Sequence, residues 1–262
     1  DSVASRGLGD VYKRQVLLLT SLFLIGACSQ SEQEASSQPE SMVEYTWMKA
    51  GPNFSAQNLA GLITMWNTML DEMNCSLNGA NILTPEVANE GYDFIWVHLW
   101  TSQSARDECW NAWEGSSYQS DWDTAIDGVM QYDLDNVYLF KPTTGRIPKK
   151  QNDTGSFVNS FFFCNFNEGF TMSDLDSYRS ELANIESFSD YHWYVLLEPM
   201  FVPDDPKPDF VWLDLWGSDA DKASDTEIWE STDLPAKAQA MVSCNQNQNL
   251  EGISFKGTVI RS

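Results

Sequence analysis

Several residue types and patterns are scarce in this chain. Histidine occurs only at His98 and His192, and cysteine five times. No HxxxH, CxxC or EF-hand-like run is present, so the recurrent ligand spacings of zinc and calcium sites are missing. No GxGxxG, P-loop or GxSxG stretch occurs either. That removes the sequence grounds for a dinucleotide site, a phosphate cradle or a hydrolase nucleophile elbow. No metal and no cofactor is therefore expected. Positive charge is also short: 15 Lys and Arg against 38 Asp and Glu leave a formal charge of −23. Such a surface repels phosphate backbones and anionic lipid, so no nucleic-acid partner is expected and membrane contact has to come from a covalent anchor. The apolar run from Val16 to Ala27 is 12 residues, too short to cross a hydrocarbon core of about 30 Å as a helix.

That run has another reading. Residues 1–15, DSVASRGLGDVYKRQ, lack an initiator Met and read as non-native read-through. Lys13 and Arg14 then precede residues 16–27, which fit the apolar region of a secretory signal. The run ends Ile25-Gly26-Ala27-Cys28, which resembles the lipobox of bacterial lipoproteins. The resemblance implies cleavage before Cys28 and lipidation of its sulfur; an ordinary cleaved signal with an unrelated Cys is the alternative. Ser29 in place of Asp resembles lipoproteins sent onward to the outer membrane, which implies an exported, lipid-anchored protein on that membrane's inner face. Residues 28–42 are mostly Ser, Gln and Glu and read as a flexible tether.

What the chain has in plenty is aromatic residues, 13% of the total, and they repeat. DFIWVHLW at 93–100 returns as DFVWLDLW at 209–216. At an offset of 116, residues 93–116 lie over 209–232 without a gap, and 8 of 24 pairs are identical, three of them Trp. The same offset superposes Trp47 on Phe163 and Phe54-Ser55 on Phe170-Thr171. A one-residue slip lays Val137–Lys141 over Gly252–Lys256. A period this long marks a duplicated domain rather than a solenoid. Each copy predicts a strand, a helix opened by Ser55 or Thr171, two strands, helical stretches opened by Ser102 or Ser218, and a last strand. The boundaries predicted are 43–141 for the first repeat, 142–156 for a Pro- and Gly-rich linker, 157–257 for the second repeat and 258–262 for a tail.

The order β-α-β-β-α-β is the ferredoxin-like unit. Two such units in tandem resemble the dimeric α/β-barrel superfamily, which includes antibiotic-biosynthesis monooxygenases. The fold expected is α+β, a monomer whose two ferredoxin-like repeats form an internal pseudo-dimer. Four cysteines follow Cys28, and in an exported protein they allow three pairings. The repeats suggest Cys75–Cys109 and Cys164–Cys244; free buried thiols are the alternative.

Strand alternation puts Ile95, Val97 and Leu99 on one face, expected beneath the unit's own helices. Phe94, Trp96, His98 and Trp100, with Phe210, Trp212, Asp214 and Trp216, form the other face. The resemblance implies that this second face looks into the space between the two sheets. That gives two alternatives: rings that simply fill the interior, or a pocket for a small hydrophobic or aromatic molecule. In the second case His98 beside Asp214 would form a general-base pair, and Asn165 with Trp96 or Trp212 resembles the substrate-holding pair of small monooxygenases. Lys49 shares the inward side of the first strand with Tyr45 and Trp47. Three functions stay open: a ligand-binding protein, a cofactor-independent monooxygenase or isomerase, and an envelope interaction protein with a filled core.

Overall fold

Both ends of each four-stranded sheet are used. The computed structural model describes residues 40–201, 207–245 and 250–262; the expected signal, Cys28 and most of the expected tether lie outside them. The first half runs β1 (Met42–Ala50), α1 (Ala56–Glu72), β2 (Leu77–Pro85), β3 (Phe94–Trp100), α2 (Gln103–Trp113), α3 (Ser117–Ile126) and β4 (Met130–Arg146). The second repeats this as β5 (Ser156–Phe166), α4 (Met172–Ala183), β6 (Trp193–Phe201), β7 (Phe210–Trp216), α5 (Asp219–Glu230), α6 (Leu234–Met241), β8 (Val242–Cys244) and β9 (Ile253–Arg261). The halves meet at two seams, β2 with β9 and β4 with β6. The strands therefore close in the order β4-β1-β3-β2-β9-β5-β7-β6, every neighbour antiparallel. Eight strands enclose a lumen that side chains can fill.

Local chemistry accounts for the helix starts. Ser55, Ser102 and Ser218 each accept a backbone N–H three residues on, from Asn58, Ala105 and Asp221. Thr171 and Asp174 form a reciprocal capping box. Leu62, Trp66, Met69 and Leu70 recur at helical spacing and are the buried side of α1. A disulfide joins Cys75 to Cys109, Cα to Cα 5.2 Å, and another joins Cys164 to Cys244 at 4.0 Å. The second pair are direct partners across β5 and β8.

Three cores result. The lumen holds Val43, Tyr45, Ile95, Val97, Phe140, Phe157, Phe161, Val211, Leu213, Leu215 and Phe255. Behind the first half, Phe94, Trp96 and Trp100 pack with Trp66, Leu70, Trp113 and Trp122. Behind the second, Phe210 and Trp212 pack with Leu175, Leu182, Leu234 and Met241. This corrects the expected faces. The aliphatic side of β3 and β7 is the one inside the barrel, and the ring ladders lie under the helices, turned away from each other. Alternation groups side chains by face but does not say which face is in. Large rings from β3 and β7 reach across to the helix layer, while the lumen, already carrying rings from β1, β4, β5 and β9, takes their aliphatic residues.

The linker and tail also differ from expectation. β4 continues through Pro142 to Arg146, pairing Thr143 with Leu196 and Arg146 with Tyr194. Gly145 allows this, since a Cβ there would lie 1.7 Å from a Tyr194 ring carbon. The connection is 147–155. Residues 258–261 pair with Ala80–Ile82 and complete a seam. A bulge in β4 between the partners of Thr46 and Trp47 inserts residues 134–136 and reverses which side chains face inward.

Deleting residues 258–262 removes the first part of the β2–β9 seam. At about 1 kcal/mol for each of roughly three lost ladder bonds, the unfolding midpoint falls by about 6–12 °C, read by circular dichroism. An unchanged midpoint contradicts the role given to this strand.

Candidate functional site

The ladders and their polar centres are the site the sequence singles out. In the first half, Glu44 and His98 are direct partners across β1 and β3 and point at α2. Arg106, one turn past the Ser102 cap, donates from Nε to Glu44 Oε2, and Trp110 Nε1 donates to the same oxygen at 3.2 Å. His98 lies parallel to Trp100, centroids 5.7 Å apart, with Trp110 edge-on at 5.3 Å and Trp66 at 5.6 Å. Its Nδ1 is 3.7 Å from Glu44 Oε1, too far for a hydrogen bond. Burial pushes the imidazole down to about 4; the Glu44 charge opposes this and Arg106 adds to it. His98 is neutral at pH 7, and both side chains are sealed, 6% and 5% exposed.

Stepping 116 residues along replaces every member of this centre. Ser160 stands for Glu44, Asp214 for His98, Lys222 for Arg106 and Thr226 for Trp110. The ion pair is gone. Lys222 Nζ donates to Ser254 Oγ at 2.8 Å, which is 2.9 Å from Ser160 Oγ. Asp214 pairs instead with His192 Nε2 at 3.0 Å. His192 lies flat on Trp216, centroids 5.4 Å apart, and its Nδ1 is 3.6 Å from Asp225 Oδ2. Burial raises the Asp225 carboxyl, against hydrogen bonds from Ser189 N–H at 2.7 Å and Trp216 Nε1 at 3.2 Å. Beside Asp214, Trp212 stacks on Tyr194 at 4.2 Å and meets Tyr178 edge-on at 6.2 Å. Burial raises the Tyr178 hydroxyl, which accepts from Trp229 Nε1 at 2.9 Å and feels the Asp214 charge. The Asp214 side chain is 20% exposed, and the position equivalent to Trp110 is Thr226.

The expected His98–Asp214 pair is therefore not assembled. Each residue sits behind its own half, and the partner of Asp214 is the other histidine. Phe94, Trp96 and Trp100 belong to the first, sealed layer; Phe210, Trp212 and Trp216 belong to the second. The Asn165 pairing with Trp96 or Trp212 is not assembled either. Asn165 continues the lumen side of β5, at its exposed end, while both Trp residues face helices. Lys49 is at the same end of the barrel and donates to the Glu90 carbonyl. His192, Asp225 and Tyr178 were not singled out from sequence. His192 had one signal, its place just ahead of a strand that neighbours β7. Among the described residues, no group of three His, Cys, Asp or Glu is arranged to hold a metal ion, and no helix is long and apolar enough to cross a membrane.

No protein-family model and no curated protein matches the sequence. Solved structures do match in shape. A candidate monooxygenase from Fusobacterium nucleatum superposes with a TM-score of 0.53 at 7% identity, covering 85% of this chain and 93% of that one. Chlorite dismutase from Candidatus Nitrospira defluvii, in complex with imidazole, gives 0.52 at 6%, covering 84% and 92%. A candidate chlorite dismutase gives 0.50 at 11%, covering 84% and 95%. The fold is that of the dimeric α/β barrels. At these identities the likeness is one of fold alone.

The first centre carries a pH signature. An unfolded His98 protonates near its ordinary 6.5, the folded one near 4. Between those values the unfolded chain holds more protons, so stability is full above about 6.5 and falls as the pH drops toward 4. The loss is on the order of 3 kcal/mol. In His98→Phe this part of the acid sensitivity disappears, measured as urea midpoints at pH 7 and pH 4.5. An identical pH slope in both proteins contradicts a buried neutral imidazole.

Proposed function

We propose that this chain is an exported, lipid-anchored protein that binds a small hydrophobic or aromatic molecule in the second half, at Asp214. One observation carries the reading. Two equivalent layers differ in access at their polar centres, and in the second a carboxylate 20% exposed lies beside buried rings. Trp110 packs edge-on against His98 in the first centre, whereas the second half has Thr226 at the equivalent position and Asp214 is 20% exposed. Such a group, held by His192, accepts a hydrogen bond from a phenol or an amine, and the buried rings of Trp212 and Trp216 make its surroundings apolar. The two halves are then copies of one unit, of which the first keeps a structural centre and the second a binding one. The lipobox-like IGAC and two disulfides support an oxidising, extracytoplasmic address.

A catalytic version of the same reading is cofactor-independent oxygenation or isomerisation of an aromatic. Asp214 backed by His192 has the makings of a general base, and a candidate monooxygenase shares the fold.

Titration with phenols, catechols and aromatic amines, followed by tryptophan fluorescence, tests the site. Asp214→Asn and Thr226→Trp, which installs the indole of the first half, each weaken binding by about tenfold or more. Binding unaffected by both variants removes Asp214 from the site. Oxygen uptake or product formation with the same compounds, lost in Asp214→Asn, selects the enzyme; saturable quenching without turnover selects the binding protein.

A further inference from the structure

The barrel end where β1, β2, β5 and β6 finish is built differently from the middle. At mid-height Tyr45, Phe140, Phe161 and Phe255 are buried and close the lumen. Tyr45 meets Phe140 at 5.7 Å and Phe161 at 5.5 Å, and Phe161 meets Phe255 at 5.5 Å, all edge to face. Toward the end, the inward positions are Trp47 and Tyr138 from the first half and Phe163 and Ile253 from the second. Trp47 and Phe163 correspond, as do Tyr138 and Ile253 after the one-residue slip. Trp47, Tyr138 and Phe163 are half-buried and Ile253 is 42% exposed. Strands β1 and β5 run in the same sense, so both halves offer apolar surface at one mouth on the shared axis.

Charge at this mouth is negative. Trp47 stacks with Tyr138 at 5.4 Å and leans on Tyr92 at 4.7 Å. The Tyr138 hydroxyl donates to Asn136 Oδ1 at 3.0 Å, and Asn136 Nδ2 donates to Asp133 Oδ2 at 2.8 Å. Asp133 is the direct partner of Trp47 across β1 and β4, so its carboxylate lies beside the rings. Asp93 and Asp209, the identical first residues of the repeated octets, stand at the same end. Each accepts the last backbone N–H of a first strand, from Ala50 at 2.8 Å and from Phe166 at 2.9 Å. Lys49, two residues past Trp47 on the same side, donates to the Glu90 carbonyl and keeps its one positive charge against the three carboxylates, so the mouth remains net negative.

Ring faces carry negative potential, and these carboxylates extend it. An anion is repelled by the rim and by a chain of net charge −23. A neutral molecule gains apolar area alone, whereas an organic cation gains from both terms. We propose that this mouth binds a small organic cation of the quaternary-ammonium class, with its methyl groups against Trp47 and Tyr138 and its charge toward Asp133. The inference does not rest on the Asp214 site, which lies on the opposite face of the barrel wall.

The test is calorimetric titration of the full chain with benzyltrimethylammonium, benzyl alcohol and benzoate. The cation binds about tenfold or more tightly than the alcohol, and benzoate does not bind. Trp47→Leu abolishes the preference for the cation. Asp133→Asn weakens the cation and leaves the alcohol unchanged, and it decides the matter should Trp47→Leu lose its fold by circular dichroism. Asp214→Asn leaves all three affinities at this mouth unchanged. Equal affinity for cation and alcohol, no binding of the cation, or cation binding untouched by the Trp47 and Asp133 variants overturns the proposal. Cation binding lost in Asp214→Asn but kept in Trp47→Leu also overturns it, and moves the ligand to the second-half centre.

Discussion

Closure of the sheet by its two seams is the constraint on which the rest depends. A four-stranded ferredoxin-like sheet alone has two open edges and one face without cover. Pairing β2 with β9 and β4 with β6 satisfies both edges at once and turns the uncovered faces inward. From that point every strand residue has one of two fates. It faces a lumen of fixed girth, or it faces a helix layer whose depth the helices can adjust. Rings on β3 and β7 take the adjustable side. The interior polar chemistry is thereby divided between two layers that do not communicate through the lumen.

That division explains how paired polar positions can diverge. Behind the first half, a buried carboxylate is matched by a guanidinium and an indole N–H, and the imidazole beside it stays neutral. Burying such a pair costs desolvation that Coulomb attraction roughly offsets, so its removal one partner at a time is severe while its replacement as a set is tolerated. The second half has a different set throughout: Ser160, Lys222 and Thr226 stand at the equivalent positions, and Asp214 pairs with His192, just ahead of the neighbouring strand. Replacing Arg106 alone leaves the Glu44 carboxylate uncompensated among apolar rings.

Much of this was legible in the sequence, and the gaps have physical causes. Serine and threonine caps were legible because their partners lie three residues away. The repeat gave the order of elements, and alternation correctly grouped Phe94 with Trp96, His98 and Trp100. Which side of the sheet that group occupies was not legible, because it is set by lumen girth and by Trp66, Trp110 and Trp122 arriving from other elements. Pro142 and Gly145 look like loop residues; their strand conformation is imposed by β6, about fifty residues later in the chain. His192 is likewise invisible as a partner of Asp214 until β6 and β7 are laid side by side.

The position of β9 has a consequence for how the chain is made. The first half is complete in sequence at Arg146, yet its β2 edge is matched only by β9. During synthesis that edge stays unsatisfied while more than a hundred further residues emerge, and during this interval another copy of the same chain can add its own strand there. Contacts this distant in sequence also slow folding. Nascent chains are thus most vulnerable to cross-pairing until β9 emerges, and dilution or a strand-shielding chaperone at that stage governs how much of the product ends as separate barrels.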